Sequence, residues 1–241
     1  MRHASLLSFL LMVVSLTGCE KSQVTAILVL SGLIGLGGFF VLLLVRRDRA
    51  LQKKWNAAAN AVGVSPAGRK GSERRFVGEH RGGTVKVTAT DDRLRVVIAF
   101  AKPGPDESQT LCLVHTKGDP RMLKLARAIM RFASWLDDDE GPSEIPSGFD
   151  APELELPASP LTKAAVVLTG EAERWRPALE DSTIAEAVVA ALSRSGAKGL
   201  AIVQMARRAD RIGVIAAGRT DHETLGPMVT LCKLLADATQ G

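Results

Sequence analysis

The run from Val24 to Val45, VTAILVLSGLIGLGGFFVLLLV, holds 22 residues without a charge and stops at Arg46, Arg47 and Arg49. At about 1.5 Å of rise per residue it is long enough, as a helix, for the roughly 30 Å hydrocarbon core of a bilayer. The rest of the chain is read relative to this span. Excess Lys and Arg mark the cytoplasmic side of a span. Arg46, Arg47, Arg49, Lys53 and Lys54 follow it, whereas Lys21 stands just before it. Residues 46–241 are therefore expected in the cytoplasm.

Residues 1–23 form a signal-like segment. Arg2 and His3 make a positive start, and Ala4 to Val14 is a short apolar run. Leu16-Thr17-Gly18-Cys19 follows. Here the chain resembles the bacterial lipoprotein signal, whose box is an aliphatic residue, two small residues and a cysteine. The resemblance covers residues 1–19 only. It implies that Cys19 carries a thioether-linked lipid and that the chain is cut before it. The competing reading makes residues 4–18 the first arm of an uncleaved hairpin, because the helix that follows already anchors the chain. Both readings bring Cys19 to Gln23 to the outer face.

Within the span, GLIGLGG at residues 32–38 looks like a dinucleotide-binding loop, but no strand precedes it and no helix start follows. Ser31, Gly35 and Gly38 share a face of small residues, which allows close approach of a second helix and a homodimer.

Charge is unevenly spread. Residues 46–131 carry 19 basic and 8 acidic side chains, a net of +11, and residues 132–241 carry 10 and 17, a net of −7. A basic stretch beside a span is attracted to anionic headgroups. No nucleic-acid motif accompanies it, and a chain with no Tyr and three Trp offers little for base stacking. Apart from Cys19 there are two cysteines, Cys112 and Cys232, each inside an apolar run. They read as buried, unpaired thiols.

After the transmembrane helix at 24–45, residues 46–63 read as a juxtamembrane helix. Leu51, Trp55, Ala58 and Val62 lie on one stripe, and Gly63 stops it. Residues 64–136 read as an α+β domain or subdomain. Ser65–Ser72 is a loop. Arg74–His80 and Thr84–Thr90 form a hairpin across Arg81-Gly82-Gly83, and Arg93–Phe100 and Gln109–Thr116 complete a meander. A helix from Asp119 to about Leu136 then presents Arg121, Lys124, Arg127 and Arg131 on one face, candidates for contact with lipid. Residues 137–160 form an acidic, Pro-rich linker, with a short strand at Glu153–Leu156. Residues 161–241 are a second α+β subdomain. Lys163–Thr169 fits strand or helix. Ser182–Ser195 is a helix, Lys198–Ala206 and Arg211–Gly218 are a hairpin, and Thr220 with Glu223 makes a capping box for the last helix. Strand, strand and helix at 93–136 echo the same order at 198–238.

Chemistry-bearing motifs are few. No HExxH, CxxC, EF-hand or GxSxG pattern occurs, and Gly-Ala-Lys-Gly at 196–199 lacks Walker spacing, so no catalytic, cofactor or metal residue is assigned. Asp137-Asp138-Asp139-Glu140 reads as a solvated run, and Ser72 follows a weak basophilic phosphorylation pattern. His115 with Asp119 or Glu79 is the one acid–base pairing the sequence suggests. The fold class expected is α+β behind one membrane helix. The function expected is that of a bacterial inner-membrane protein whose cytoplasmic domain binds or scaffolds an unknown protein partner. The alternatives are an enzyme with an unrecognised site and a lipoprotein with a periplasmic domain.

Overall fold

The structure, a computed structural model, describes residues 20–102, 109–115, 151–195, 202–217 and 220–240. The signal-like segment to Cys19, the helix with Arg121, Lys124, Arg127 and Arg131, and residues 137–150 of the acidic linker lie outside the described residues.

The chain divides into two units, Met1–Lys53 and Lys54–Gly241. The first holds most of helix α1, Glu20–Ala61, a single element of 42 residues. Its backbone is helical throughout 24–45, and its large apolar side chains at Val29 and from Leu33 to Val45 are 42–72% exposed. Among the described residues no helix is long and apolar enough to cross a membrane. The continuously described apolar side chains run from Ser31 to Val45, a rise of about 22 Å, short of the roughly 30 Å core. The span read at Val24–Val45 therefore gains no support from them.

The second unit is α+β. Eight strands form one antiparallel sheet: β1 Val64–Lys70, β2 Glu73–His80, β3 Gly83–Ala89, β4 Arg93–Ala99, β5 Gln109–His115, β6 Ala165–Leu168, β7 Ile202–Arg208 and β8 Arg211–Ala217. Their spatial order is β1-β2-β3-β4-β8-β7-β5-β6. The helices are α2 Pro160–Ala164, α3 Ala172–Glu180, α4 Ser182–Ser195 and α5 His222–Gln240. α5 lies on β4 and β8. α4 packs beside α5 and reaches β7, and α2 and α3 pack on α4.

Period-two burial explains the sheet. On the helix-covered face Val85, Val87 and Ala89 stand opposite Ile98, Val96 and Leu94, and these stand opposite Ile212, Val214 and Ala216. All nine are buried, while their strand neighbours point to the other face. That other face is covered over β5, β6 and β7, where Cys112, Val114, Leu168 and Ile202 pack with Ala151. Over β2, β3 and β4 no described element packs on it, and Arg75, Lys86 and Arg95 are exposed there.

Several expectations change. The hairpin from β2 to β3 turns at Arg81 and Gly82, both at positive φ, as a two-residue loop that matches strand twist requires. The meander stops at β4, however. β5 is separated from it by β8 and β7, so the two halves share one sheet, and the strand-strand-helix echo fails because β4 and β5 are not paired. Residues 65–72 are not a loop: β1 is an edge strand, exposed after Val64 and bulged between Pro66 and Gly68, so it shows no hydrophobic alternation. Residues 160–168 divide into α2, capped by Ser159 and Thr162, and β6. Of the strand at 153–156 one bridge remains, Glu153 to Leu168. α5 is capped by Asp221, whose Oδ1 accepts from the amides of Glu223 and Thr224. Thr220, expected as the cap, donates instead to the Thr90 carbonyl at 2.6 Å.

Candidate functional site

Among the described residues, two groups of polar contacts lie at opposite ends of the sheet. One end carries the β1–β2 and β3–β4 turns, since Lys70 stands opposite Glu73, Ala89 opposite Leu94, and Arg74 opposite Ala89. The last turns of α1 run along β2 on the helix-covered face. The Trp55 ring stacks on Phe76 at a centroid distance of 6.2 Å and an interplanar angle of 19°. The Arg74 guanidinium lies 5.4 Å from the Trp55 ring centroid, an attraction of cation and π face. Arg74 is buried, pairs with Asp91 at 3.5 Å, and leaves Nε and Nη1 without a hydrogen bond. Arg69, Lys70, Arg75, Arg93 and Arg95 are exposed at this end. Its acidic side chains are committed: Glu73 to Arg75, Asp91 to Arg74, and Asp92 to the Thr90 hydroxyl.

At the opposite end, His80 Nε2 donates to Asp237 Oδ1 at 2.7 Å, and Arg81 Nε lies 3.0 Å from the same oxygen. This binds the β2–β3 hairpin to α5. Lys233 of α5 donates to the Val62 carbonyl at 2.7 Å, just past the C-terminus of α1, where a cation also meets the negative end of the helix dipole. A carboxylate on Nε2 fixes the imidazole tautomer, as it does in acid–base catalysis. Here one carboxylate oxygen serves both His80 and Arg81, and the cluster acts as a clamp between elements. The separation of His80 and Asp237 by 157 residues leaves no local signal from which sequence reasoning could find it.

A groove of about 440 Å³ lies between the last turns of α1 and the first turn of α5, lined by Ala57, Ala58, Ala61, Val62 and Gly226 with Lys54, His222 and Glu223. Its walls are mostly methyl groups and backbone, which suits apolar contact more than chemistry on a bound molecule. Glu223 is held by Arg194 at 2.8 Å.

No protein-family model and no curated protein matches the chain. The structure is similar to the crystal structure of the mycobacterial trehalose monomycolate transport factor A, TtfA, with a TM-score of 0.39 and 10% identity over 78% of this chain and 94% of that chain. A similarity of that degree does not define a shared fold.

The acid–base pairing read from the sequence does not form with Glu79. His115 is in β5 and Glu79 in β2, five strand positions away, or about 24 Å. Asp119, the Asp137–Glu140 run, Cys19 and the four basic residues from Arg121 to Arg131 lie outside the described residues. Among those described, no group of three or more His, Cys, Asp or Glu is placed to hold a metal ion. On α1, nothing lies within 4 Å of a Cβ built at Gly35 or Gly38, so the small-residue face read for a homodimer is open. Cys112 and Cys232 are free and buried, and burial pushes both thiols up to about 12. They are inert at neutral pH.

Proposed function

We propose that this chain is a membrane-anchored bacterial protein whose α+β unit faces the cytoplasm and binds or scaffolds a protein partner. What supports the reading is the sequence: the charge-free run Val24–Val45 and the arginines at 46, 47 and 49 that end it. The described apolar side chains of that run are bare. Bare Leu, Val and Phe side chains over several turns are costly in water and favourable in hydrocarbon. The arginines then set the direction. The open basic face over β2–β4 supports binding as the role of the folded unit. Lipidation at Cys19 belongs to the same proposal as a second, dispensable anchor, so Cys19→Ser should leave the protein in the membrane fraction.

Fusions after Gly241 test the orientation. A reporter that functions only in the cytoplasm should be active there, and a reporter that functions only in the periplasm should be silent. Activity of the periplasmic reporter would overturn the cytoplasmic reading in favour of an exported domain. Extraction of the protein from membranes by salt alone would overturn the anchor itself.

A further inference from the structure

The last turns of α1 and the residue after them, Lys54 to Val62, belong to the folded unit but are lightly seated on it. Trp55 and Ala59 are buried; Asn56, Ala58 and Val62 are half-buried, and Lys54, Ala57, Asn60 and Ala61 are exposed. α5, by contrast, buries Leu225, Met228, Val229, Leu231, Cys232 and Leu235. Trp55 is thus the large anchor of the stretch, seated on Phe76. Against its ring lies the Arg74 guanidinium, whose Nε and Nη1 are buried without a hydrogen bond. A donor buried unpaired penalises the state that buries it, and the penalty disappears when water reaches the donor. The groove of about 440 Å³ runs between this stretch and the first turn of α5, so the methyl groups of Ala57, Ala58 and Ala61 lack the close packing of a core helix. Just beyond lies a pivot. Gly63 has φ +74, and Val64, buried at 1% exposure, stands opposite Gly78 in the sheet. Lys233 holds the Val62 carbonyl at 2.7 Å. The chain is pinned on both sides of a glycine and lightly held before it.

We infer that the last two turns of α1 are a latch. They leave the sheet and fray while the sheet, α4 and α5 stay folded, pivoting at Gly63 and uncovering Phe76 and the Arg74 guanidinium. The inference concerns the folded unit alone and does not depend on the membrane reading above. Its physical basis is a balance of few terms. Opening exposes little apolar surface beyond Trp55, Ala59 and Phe76, far less than unfolding the sheet exposes, and openings of that size are the ones a native protein samples most. A helical stretch this short has little stability of its own in water once its packing is lost. Opening also brings water to the unpaired donors of Arg74, so the charge that the closed state tolerates favours the open one. Asp91 does not oppose this. Its carboxylate is 87% exposed on the β3–β4 turn and pairs with Arg74 without any part of α1. The open state presents an aromatic ring beside a cation on β2, a surface that the closed state withholds.

The full-length protein tests this. A chain with Cys19→Ser and Ala59→Cys carries a thiol under the latch and keeps Cys112 and Cys232 as references in the core. It is treated with excess maleimide at neutral pH in about 0 to 2 M urea, and labelling is read peptide by peptide by mass spectrometry. Position 59 should label at least about a hundredfold faster than Cys232, at a rate almost independent of urea, because little surface is exposed on opening. Cys232 should label through global unfolding, at a rate that climbs steeply with urea. A general loss of stability raises both rates together, so their ratio isolates the local opening. Val203→Ala, a core truncation in β7, should speed Cys232 roughly tenfold or more and leave position 59 unchanged, since the sheet is intact in the open state. Arg74→Met should slow position 59 roughly tenfold by removing the unpaired donors. Equal labelling of position 59 and Cys232, parallel urea dependence, or acceleration of both by Val203→Ala would put these turns in the core and overturn the inference. An unchanged rate in Arg74→Met would remove the driving force and overturn it too. Should Ala59→Cys not fold, hydrogen exchange of the unsubstituted protein decides. Amides 56–62 should exchange ahead of amides 228–236 by a similar factor, without urea dependence, and equal protection would overturn the inference.

Discussion

Cys112 and Cys232 show how one residue type reports on the core. Both were legible as buried because each sits in an apolar run, LCLV and TLCKLL. The structure adds the packing: Cys112 lies on the second face of the sheet with Val114 and Leu168, and Cys232 of α5 faces the Val96 and Ile212 carbonyls. In the fold both thiols keep their protons to about pH 12, whereas an unfolded chain loses them above about 8.5. The unfolded state therefore binds fewer protons above that value, and stability falls as pH rises from there towards 12, by up to about 1.4 kcal/mol per pH unit for each thiol. Below pH 8.5 the contribution is constant. Urea unfolding between about pH 9 and 11 should show a shallower slope in Cys232→Ala than in the parent, and equal slopes would mean that the thiol ionises in the fold. At neutral pH maleimide should label neither thiol until the protein unfolds. Arg74 makes the contrary case. Nothing in Arg74-Arg75 says which side chain is buried; alternation from Phe76 places Arg74 inward, but a charge argues against it. It is tolerated because the Trp55 ring covers the guanidinium and Asp91 neutralises it. With Nε and Nη1 lacking hydrogen bonds, Arg74→Met should be neutral or stabilising by thermal unfolding, and a loss of more than about 2 kcal/mol would show the ion pair to be stabilising.

Among the elements, those with strong period or punctuation were read correctly: the β2–β3 hairpin, α4, the β7–β8 hairpin and the stop of α1 at Gly63. Gly63 has φ +74, which a residue with a side chain adopts only under strain. The same corner contains a requirement the sequence did not reveal. A Cβ on Gly78 would stand 2.5 Å from the Gly63 carbonyl oxygen and 2.9 Å from Val64 Cγ1. β1 can therefore pair with β2 directly after α1 only if position 78 has no side chain. Gly78→Ala should destabilise by about 1–3 kcal/mol, because backbone rather than a flexible side chain must move. Gly170→Ala, which meets nothing within 4 Å, should stay within about 0.5 kcal/mol. Comparable urea midpoints for the two variants would refute the packing argument. Weakly patterned elements were misread for a common reason. β1 is an edge strand exposed after Val64, and β6 has four residues, two of them buried on one face and one on the other. Neither shows a period to detect. Asp221 and Thr220 both qualify as helix caps, and only the hydrogen bond of Thr220 to Thr90 decides between them.

At the scale of the whole molecule, residues 64–136 and 161–241, which the sequence left open as one domain or two, contribute strands to one sheet. Among the described strands β4 pairs with β8, and β5 with β7 and β6. A fragment ending at residue 160 would strip β5 of both neighbours and leave β4 a bare edge. It should show no cooperative unfolding, and co-expression with residues 161–241 should restore it; a cooperative transition in the fragment alone would show the halves to be independent. The sequence by itself determined the helical run from Val24, its arginine stop, the α+β class, the basic and acidic halves and most strand positions, because each depends on residues close together in the chain: a charge-free length, a period of two, a turn of fixed φ. The tertiary structure alone decided that β8 and β7 insert between β4 and β5, that His80 meets Asp237, and that Trp55 covers Arg74. Those choices depend on which apolar faces bury one another across more than a hundred residues, and many strand orders bury the same side chains equally well until the chain is closed.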